Sequence, residues 1–225
     1  MAGALDFVEE ALQKDKLSRI ITLNAEIAYG AYDNASLCDL INHADLVTPD
    51  GTGIVWAANQ YGTPLKERVC GIDLLIALME RYNNDSYGFY FLGSKPEIAA
   101  AAAEKIKEQY PHLRYCGFHD GYFGKENSEV MAEEIFQSGA DILIVAMGAP
   151  FQDEWIAQYG EKCGVKVGIG VGGSLDVISG AVKRAPKIFQ KLRLEWLYRL
   201  LTDFSRRKRM MALPKFMSLV KKQSK

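Results

Sequence analysis

The run from Val47 to Ala58, VTPDGTGIVWAA, puts one carboxylate, Asp50, on a tight turn between two apolar stretches. A plain loop would scatter several polar groups there, but this one holds a single acid between Pro49 and Gly51. Two kinds of chemistry suit such a residue. Held at the end of a strand, it can act as a general base that takes the proton of a substrate hydroxyl. Placed ahead of a helix, it can accept backbone N–H bonds as a cap. The local pattern by itself favours the cap and leaves the base open.

Three other turns resemble this one: LGSKP (Leu92 to Pro96), MGAP (Met147 to Pro150) and GVGGS (Gly170 to Ser174). Each follows a strand-like run. Glycine lets backbone approach a ligand closely, and helix N-termini favour anions. In an open α/β sheet, ligands bind at the carboxyl ends of the strands. Any one of these turns can be a mere tight connection, but four together point to a nucleotide or sugar-phosphate site. There is no GxGxxG after the first strand and no GxxxxGK[ST] loop. A dinucleotide dehydrogenase or a P-loop enzyme therefore has little support.

The elements that must position these turns alternate along the chain. Helices are predicted at Ala4 to Leu12, after Asn24, at Ile72 to Tyr82, Glu97 to Gln109 and Ser128 to Ser138, and around Gln152 and Trp155. Strands are predicted at Arg19 to Leu23, Leu46 to Thr48, Gly88 to Leu92, Arg114 to Phe118, Asp141 to Ala146 and Lys166 to Val171. This alternation predicts an α/β, Rossmann-like, mostly parallel sheet flanked by helices.

The formal net charge of -1 hides a strong asymmetry. From Lys183 onward there are 14 Lys and Arg against two acids, while 13 bases and 26 acids precede that point. Within the tail, Phe189, Leu192, Trp196, Leu197, Leu200, Leu201 and Phe204 recur at helical spacing, interleaved with Lys187, Lys191, Arg193, Arg199 and Arg206. Two readings fit: a helix lying on an anionic membrane, or a C-terminal helix packed on the core with a solvated charged face. The charge excess favours the membrane. We divide the chain into an α/β domain, 1–186, and a basic amphipathic appendage, 187–225. Arg206 to Arg209 could mimic a nucleic-acid patch, but no nucleic-acid-binding motif accompanies it, so no nucleic acid is expected as a partner.

Other classes lack support. No run approaches the roughly 18 consecutive apolar residues of a membrane span. The start, Met1 to Gln13, is acidic and helix-like rather than basic and then apolar, so no secretory signal is expected. Cys38, Cys70, Cys116 and Cys163 lie far apart and, with three scattered histidines, make a poor zinc set. They read as reduced thiols used as small core residues. No two aspartates stand two apart, so the Asp-x-Asp that many sugar-nucleotide transferases use for a divalent cation is absent. No metal and no cofactor are expected.

Eight segments, taken in order, carry a resemblance: TLNAEI (Thr22 to Ile27), TPDGTGIVWA (Thr48 to Ala57), ERVCGIDL (Glu67 to Leu74), FLGSKP (Phe91 to Pro96), HDGYF (His119 to Phe123), MGAPFQDEWI (Met147 to Ile156), GVGGSLDVISGAVKRAP (Gly170 to Pro186) and LEWLYRLLTDFSRRKRM (Leu194 to Met210). Together they span nearly the whole chain and resemble the WecG/TagA/CpsF glycosyltransferase family. The match looks closest to its TagA-like branch, which transfers N-acetylmannosamine from UDP to a lipid-linked N-acetylglucosamine in wall teichoic acid assembly.

The resemblance implies an inverting, metal-independent, UDP-sugar-dependent hexosyltransferase. It makes Asp50 the base and places Thr22 and Asn24 where they could bind sugars or orient it. It puts Arg68 near the donor phosphates and Gln152 against the donor, with Tyr122, Gly172 and Gly173 as weaker nucleotide contacts. From the tail it implicates Arg199, Arg206 and Arg209, whose spacing lets all three share one helical face. Arg184 lies in a matched segment, but phosphate contact and a surface ion pair are both open for it. The implied partners are a UDP-sugar donor, an undecaprenyl-diphosphate-linked acceptor and an anionic membrane surface, with the protein peripheral on the cytoplasmic face. A tail that must fold over the site can order at a bilayer or on self-association, so a homo-oligomer stays open. Two rivals remain: a same-family enzyme using UDP-N-acetylmannosaminuronic acid or UDP-glucose for capsular or exopolysaccharide synthesis, and a non-catalytic α/β module that binds nucleotide and anionic lipid.

Overall fold

The computed structural model of the chain describes residues 1–186, 188, 189, 195, 198 and 211–224. Six strands form one parallel sheet: β1 (Ser18–Leu23), β2 (Leu46–Pro49), β3 (Gly88–Gly93), β4 (Arg114–His119), β5 (Ile142–Ala146) and β6 (Val167–Gly170). They stand in the order β2-β1-β6-β5-β3-β4, and every described pairing is parallel. Parallel neighbours need crossovers, which here are mostly helices. The α/β, Rossmann-like reading is therefore correct.

Alternation along the central strands divides the core. Phe89, Phe91, Ile142 and Ile144 face one side, where α1 (Ala2–Leu12), α5 (Gly71–Arg81) and α6 (Pro96–Gln109) cover them with Val8, Leu12, Leu74, Leu78 and Ile106. Tyr90, Leu92, Leu143 and Val145 face the other, against Met131 and Ile135 of α7 (Ser128–Ser138) and Trp155 and Ile156 of α8 (Phe151–Tyr159). A strand buried on both faces reads as a continuous apolar run, which is why FYFL and ILIVA stand out in the sequence. Each buried Leu or Ile here contributes about 1.5–3 kcal/mol relative to exposure.

The sequence pattern missed several elements. Helix α3 (Ala35–Asn42) is capped by Asn34, whose side-chain oxygen accepts the Leu37 N–H at 3.1 Å, a signal that was legible in the sequence. Helix α2 (Ala25–Tyr32) does begin after Asn24 as expected, whereas α4 (Thr52–Gln60) after Gly51 and the short α9 (Ser174–Ile178) after Gly173 are additions. Of the four cysteines, Cys70 and Cys163 are buried as expected, but Cys38 is exposed and Cys116 half-buried; all four are free thiols.

Beyond residue 186 one helix is described, α10 (Ala212–Gln223). Pro214 lies in its first turn, where the missing N–H does no harm. Phe216 and Val220 are buried against Ala57, with Ala25, Tyr29, Ile54 and Trp56 around them. Leu213 comes so close to Gly53 that an added Cβ would sit 2.9 Å from its Cδ1. The end of the chain thus returns to α2 and α4, the two helices that start at the turns holding Asn24 and Asp50. Among the described residues, no helix is long and apolar enough to cross a membrane.

This packing gives a prediction. Phe216→Ala should loosen α10 by on the order of 3 kcal/mol. Hydrogen exchange should then accelerate over 212–223 and leave β1, β5 and β6 protected.

Candidate active site

Because the strands are parallel, their carboxyl ends meet along one edge. The residues that follow all six strands line one cavity of about 550 Å³: Asn24 after β1, Asp50 after β2, Ser94 after β3, Tyr122 after β4, Gly148 after β5 and Gly172 after β6. Its polar and apolar walls, and a size that suits a nucleotide-scale ligand, match an ordinary binding cleft.

Asp50 hangs between two helices. The N-cap of α4 is Gly51, at φ 108°, not Asp50. The Asp50 Oδ2 instead accepts the N–H of Gly71, the first residue of α5, at 3.4 Å. A helix N-terminus is a favourable seat for an anionic side chain. Gly71 is confined as well, since an added Cβ would lie 3.3 Å from the Thr22 side chain.

Thr22 is buried and its hydroxyl donates to the Gly170 carbonyl at 2.8 Å, tying β1 to the end of β6. Its O–H is therefore engaged, and what remains for a ligand is acceptor capacity on the oxygen. Asn24 caps α2: its Oδ1 accepts from Glu26 N–H at 2.9 Å and Ile27 N–H at 3.1 Å. The amide Nδ2 remains as a donor toward the cavity that Asn24 lines.

Arg68 also lines the cavity and pairs with Glu195, Nη1 to Oε2, at 2.7 Å. Burial works against its charge, but Cys70, Glu195 and Asp50 outweigh burial and lift its pKa above the ordinary arginine value. It is a permanent cation with an anion already seated on it. Glu195 belongs to the C-terminal segment, so at least this residue of the segment reaches the cavity wall. Arg184 lines the cavity too and forms an ion pair with Asp73. Buried Cys70 is pushed far above the usual thiol range by desolvation and by Asp50. It is held as a thiol, which argues against a nucleophilic role.

Gln152 is buried on the first turn of α8, and its Oε1 accepts the Gly172 N–H at 2.9 Å. Gly172 takes φ 54°, and an added Cβ there would meet nothing within 4 Å, so backbone is open to a ligand. Gly173 follows as the N-cap of α9. Tyr122 is 70% exposed at the rim. The structure thus brings Asp50, Thr22, Asn24, Arg68, Tyr122, Gln152, Gly172 and Gly173 to one cavity. Arg199, Arg206 and Arg209 lie outside the described residues. Sequence reasoning missed Glu195 and Asp153: neither belongs to a turn pattern, and only the fold shows their surroundings. Among the described residues, no group of three or more His, Cys, Asp or Glu could hold a metal.

Residues 1–225 match the Glycosyl transferase WecG/TagA/CpsF family, and the chain belongs to it. Similar curated relatives carry one name, N-acetylglucosaminyldiphosphoundecaprenol N-acetyl-beta-D-mannosaminyltransferase. That of Bacillus spizizenii strain W23 is 36% identical over 214 residues, covering 95% of this chain and 82% of the relative. That of Bacillus subtilis strain 168 is 33% identical, covering 100% and 88%. That of Staphylococcus aureus strain MRSA252 is 37% identical, covering 90% and 79%.

Asp153, next to Gln152, supplies a pH test. Burial pushes its carboxyl pKa up to about 7; the Gln152 amide opposes that rise and the charge of Glu154 adds to it. Below about pH 4 both folded and unfolded chains hold the proton and the acid costs nothing. Between about pH 4 and 7 the unfolded chain releases it and the folded chain does not, so stability falls as pH rises. Above that window both are ionised and the cost is constant. Chemical denaturation at several pH values should show Asp153→Asn gaining on wild type from about pH 4 to 7, then levelling off. The total should be on the order of a few kcal/mol.

Proposed function

We propose that this chain transfers N-acetylmannosamine from UDP-N-acetylmannosamine to undecaprenyl-diphosphate-linked N-acetylglucosamine, with inversion and in the assembly of a cell-wall glycopolymer. One observation carries the reading. The cavity at the carboxyl ends of the strands brings a carboxylate, Asp50, together with a permanent cation, Arg68. Family membership and the shared name of the relatives supply the substrate class.

The proposed step balances as a single displacement. Asp50 takes the proton of the acceptor hydroxyl as that oxygen attacks the anomeric carbon of the donor sugar. The bond from that carbon to the β-phosphate oxygen breaks, and UDP leaves with the electron pair. Arg68 offsets the charge that grows on the leaving diphosphate, joined by Arg199, Arg206 and Arg209 from the appendage. For this, Arg68 must exchange Glu195 for the diphosphate. Gln152, the Gly172-Gly173 backbone and Tyr122 hold the donor, and Asn24 and Thr22 contact sugar or orient Asp50.

The acceptor is a lipid, so the basic appendage is read as the membrane contact, on the cytoplasmic face. Helix α10 packs on α2 and α4, the helices that start beside Asn24 and Asp50.

Release of UDP from UDP-N-acetylmannosamine should require the lipid-linked N-acetylglucosamine acceptor. In Asp50→Asn it should fall by about 100-fold or more, the scale of a lost general base. Equal rates for Asp50→Asn and wild type would return Asp50 to a structural role. Sedimentation with vesicles gives a second test: binding should need anionic lipid and weaken as salt is raised through the Debye regime.

A further inference from the structure

Gln152 is held from two sides, only one of them by an aligned hydrogen bond. Its Oε1 accepts the Gly172 N–H, which turns the Nε2 away from that backbone. A Cβ built on Gly170 would lie 2.6 Å from the Gln152 Nε2 and 2.3 Å from the Asp153 Oδ1. The two polar atoms thus meet over the bare Cα of Gly170, in space that any other residue would fill. Asp153 is 4% exposed and lies behind the cavity wall, not on it.

A purely structural use for this acid is hard to find. Neither carboxyl oxygen has an aligned hydrogen-bond partner. Among the described residues no cation pairs with it. A first-turn acid does stabilise a helix, but an exposed one does so as well and without desolvation. Burying a carboxyl without partners is unfavourable, and such exceptions call for an explanation.

We propose that Asp153 is a positioning residue, whose carboxyl backs the Gln152 carboxamide through the gap at Gly170 and holds it ready for the sugar-nucleotide donor. The inference rests on the reading of Gln152 as a donor contact. Asp153 does not touch the donor; it restricts the rotation of the group that does.

The test measures donor affinity and stability side by side on the full chain. Calorimetry with UDP-N-acetylmannosamine, without acceptor, gives Kd for wild type, Asp153→Ala, Asp153→Asn, Gln152→Ala and the Gln152→Ala/Asp153→Ala double variant. Thermal midpoints are read at pH 7.5. Asp153→Ala should weaken binding by about tenfold while its midpoint does not fall, because a desolvated acid has been removed. Asp153→Asn keeps an oxygen facing the Gln152 amide and should restore most of the affinity. On the Gln152→Ala background, Asp153→Ala should add nothing, since residues acting through one group are not additive. Unchanged Kd in Asp153→Ala, effects that multiply in the double variant, or affinity and midpoint falling together would each overturn the proposal. If Asp153→Ala fails to fold, Asp153→Leu, closer in volume, takes its place, and Asp153→Asn must still bind. Wild type that does not bind this donor overturns the donor-site reading and the inference with it. Wild type that binds, with Asp153→Ala its equal, overturns the inference alone.

Discussion

The close approach of α8 to β6 is the constraint on which the site depends. Two glycines on β6 permit it. A Cβ at Gly168 would lie 2.6 Å from Ile156 Cγ2, and one at Gly170 would collide with Gln152 and Asp153. With both side chains absent, the first turn of α8 settles against the sheet, and Gln152 reaches the backbone of Gly172. The carbonyl of the same Gly170 receives the Thr22 hydroxyl, so β6 ties α8 to β1. Trp155 and Ile156 of α8 are buried in the apolar cluster on that face, and this burial presses the first turn of α8 onto the sheet.

The parallel register extends this local fit into a cavity. Ile21 stands opposite both Val47 of β2 and Gly170 of β6, so the ends of three strands distant in sequence are level. Helix N-termini then surround the carboxyl edge, giving it a positive backbone field. Into that field the chain sets an acid and a guanidinium. Asp50 leans on the start of α5, and Arg68 lies in the connection leading to that helix. One short segment therefore carries both the cation and the helix start that holds the anion. The pairing of Arg68 with Glu195 shows that the cation accepts a carboxylate in this structure, and a diphosphate is a stronger competitor for a fork of donors.

The C-terminal segment is joined to the site by packing at its far end. Phe216 and Val220 lie on α2 and α4, and the closeness of Leu213 to Gly53 leaves little room between α10 and the turn after Asp50. The basic character of the tail and its anchoring are separate features. Charge was visible in composition, whereas the anchor depends on a small residue in α4 whose neighbour lies about 160 residues away.

Much was legible in the sequence by itself. Continuous apolar runs located β3 and β5, and glycine turns after strand-like runs marked the edge where ligands bind. The single acid in PDGTG was correctly placed at a strand end because proline and glycine flank it. Asn34, the N-cap of α3, is likewise an ordinary cap signal in the sequence. Tertiary structure decided the rest. The cap reading of Asp50 concerned α4, yet its bond goes to α5, a partner 21 residues away that no local pattern specifies. Thr22 and Asn24 looked free for substrate, but folding engages the hydroxyl of one and the amide oxygen of the other. Asp153 stands in the first turn of α8. Its burial appears only when β6, carrying no side chain at Gly170, lets the helix close over it. Sequence encodes local geometry through short-range sterics and hydrogen bonds; which groups lose water, and against whom, depends on contacts between segments far apart in the chain.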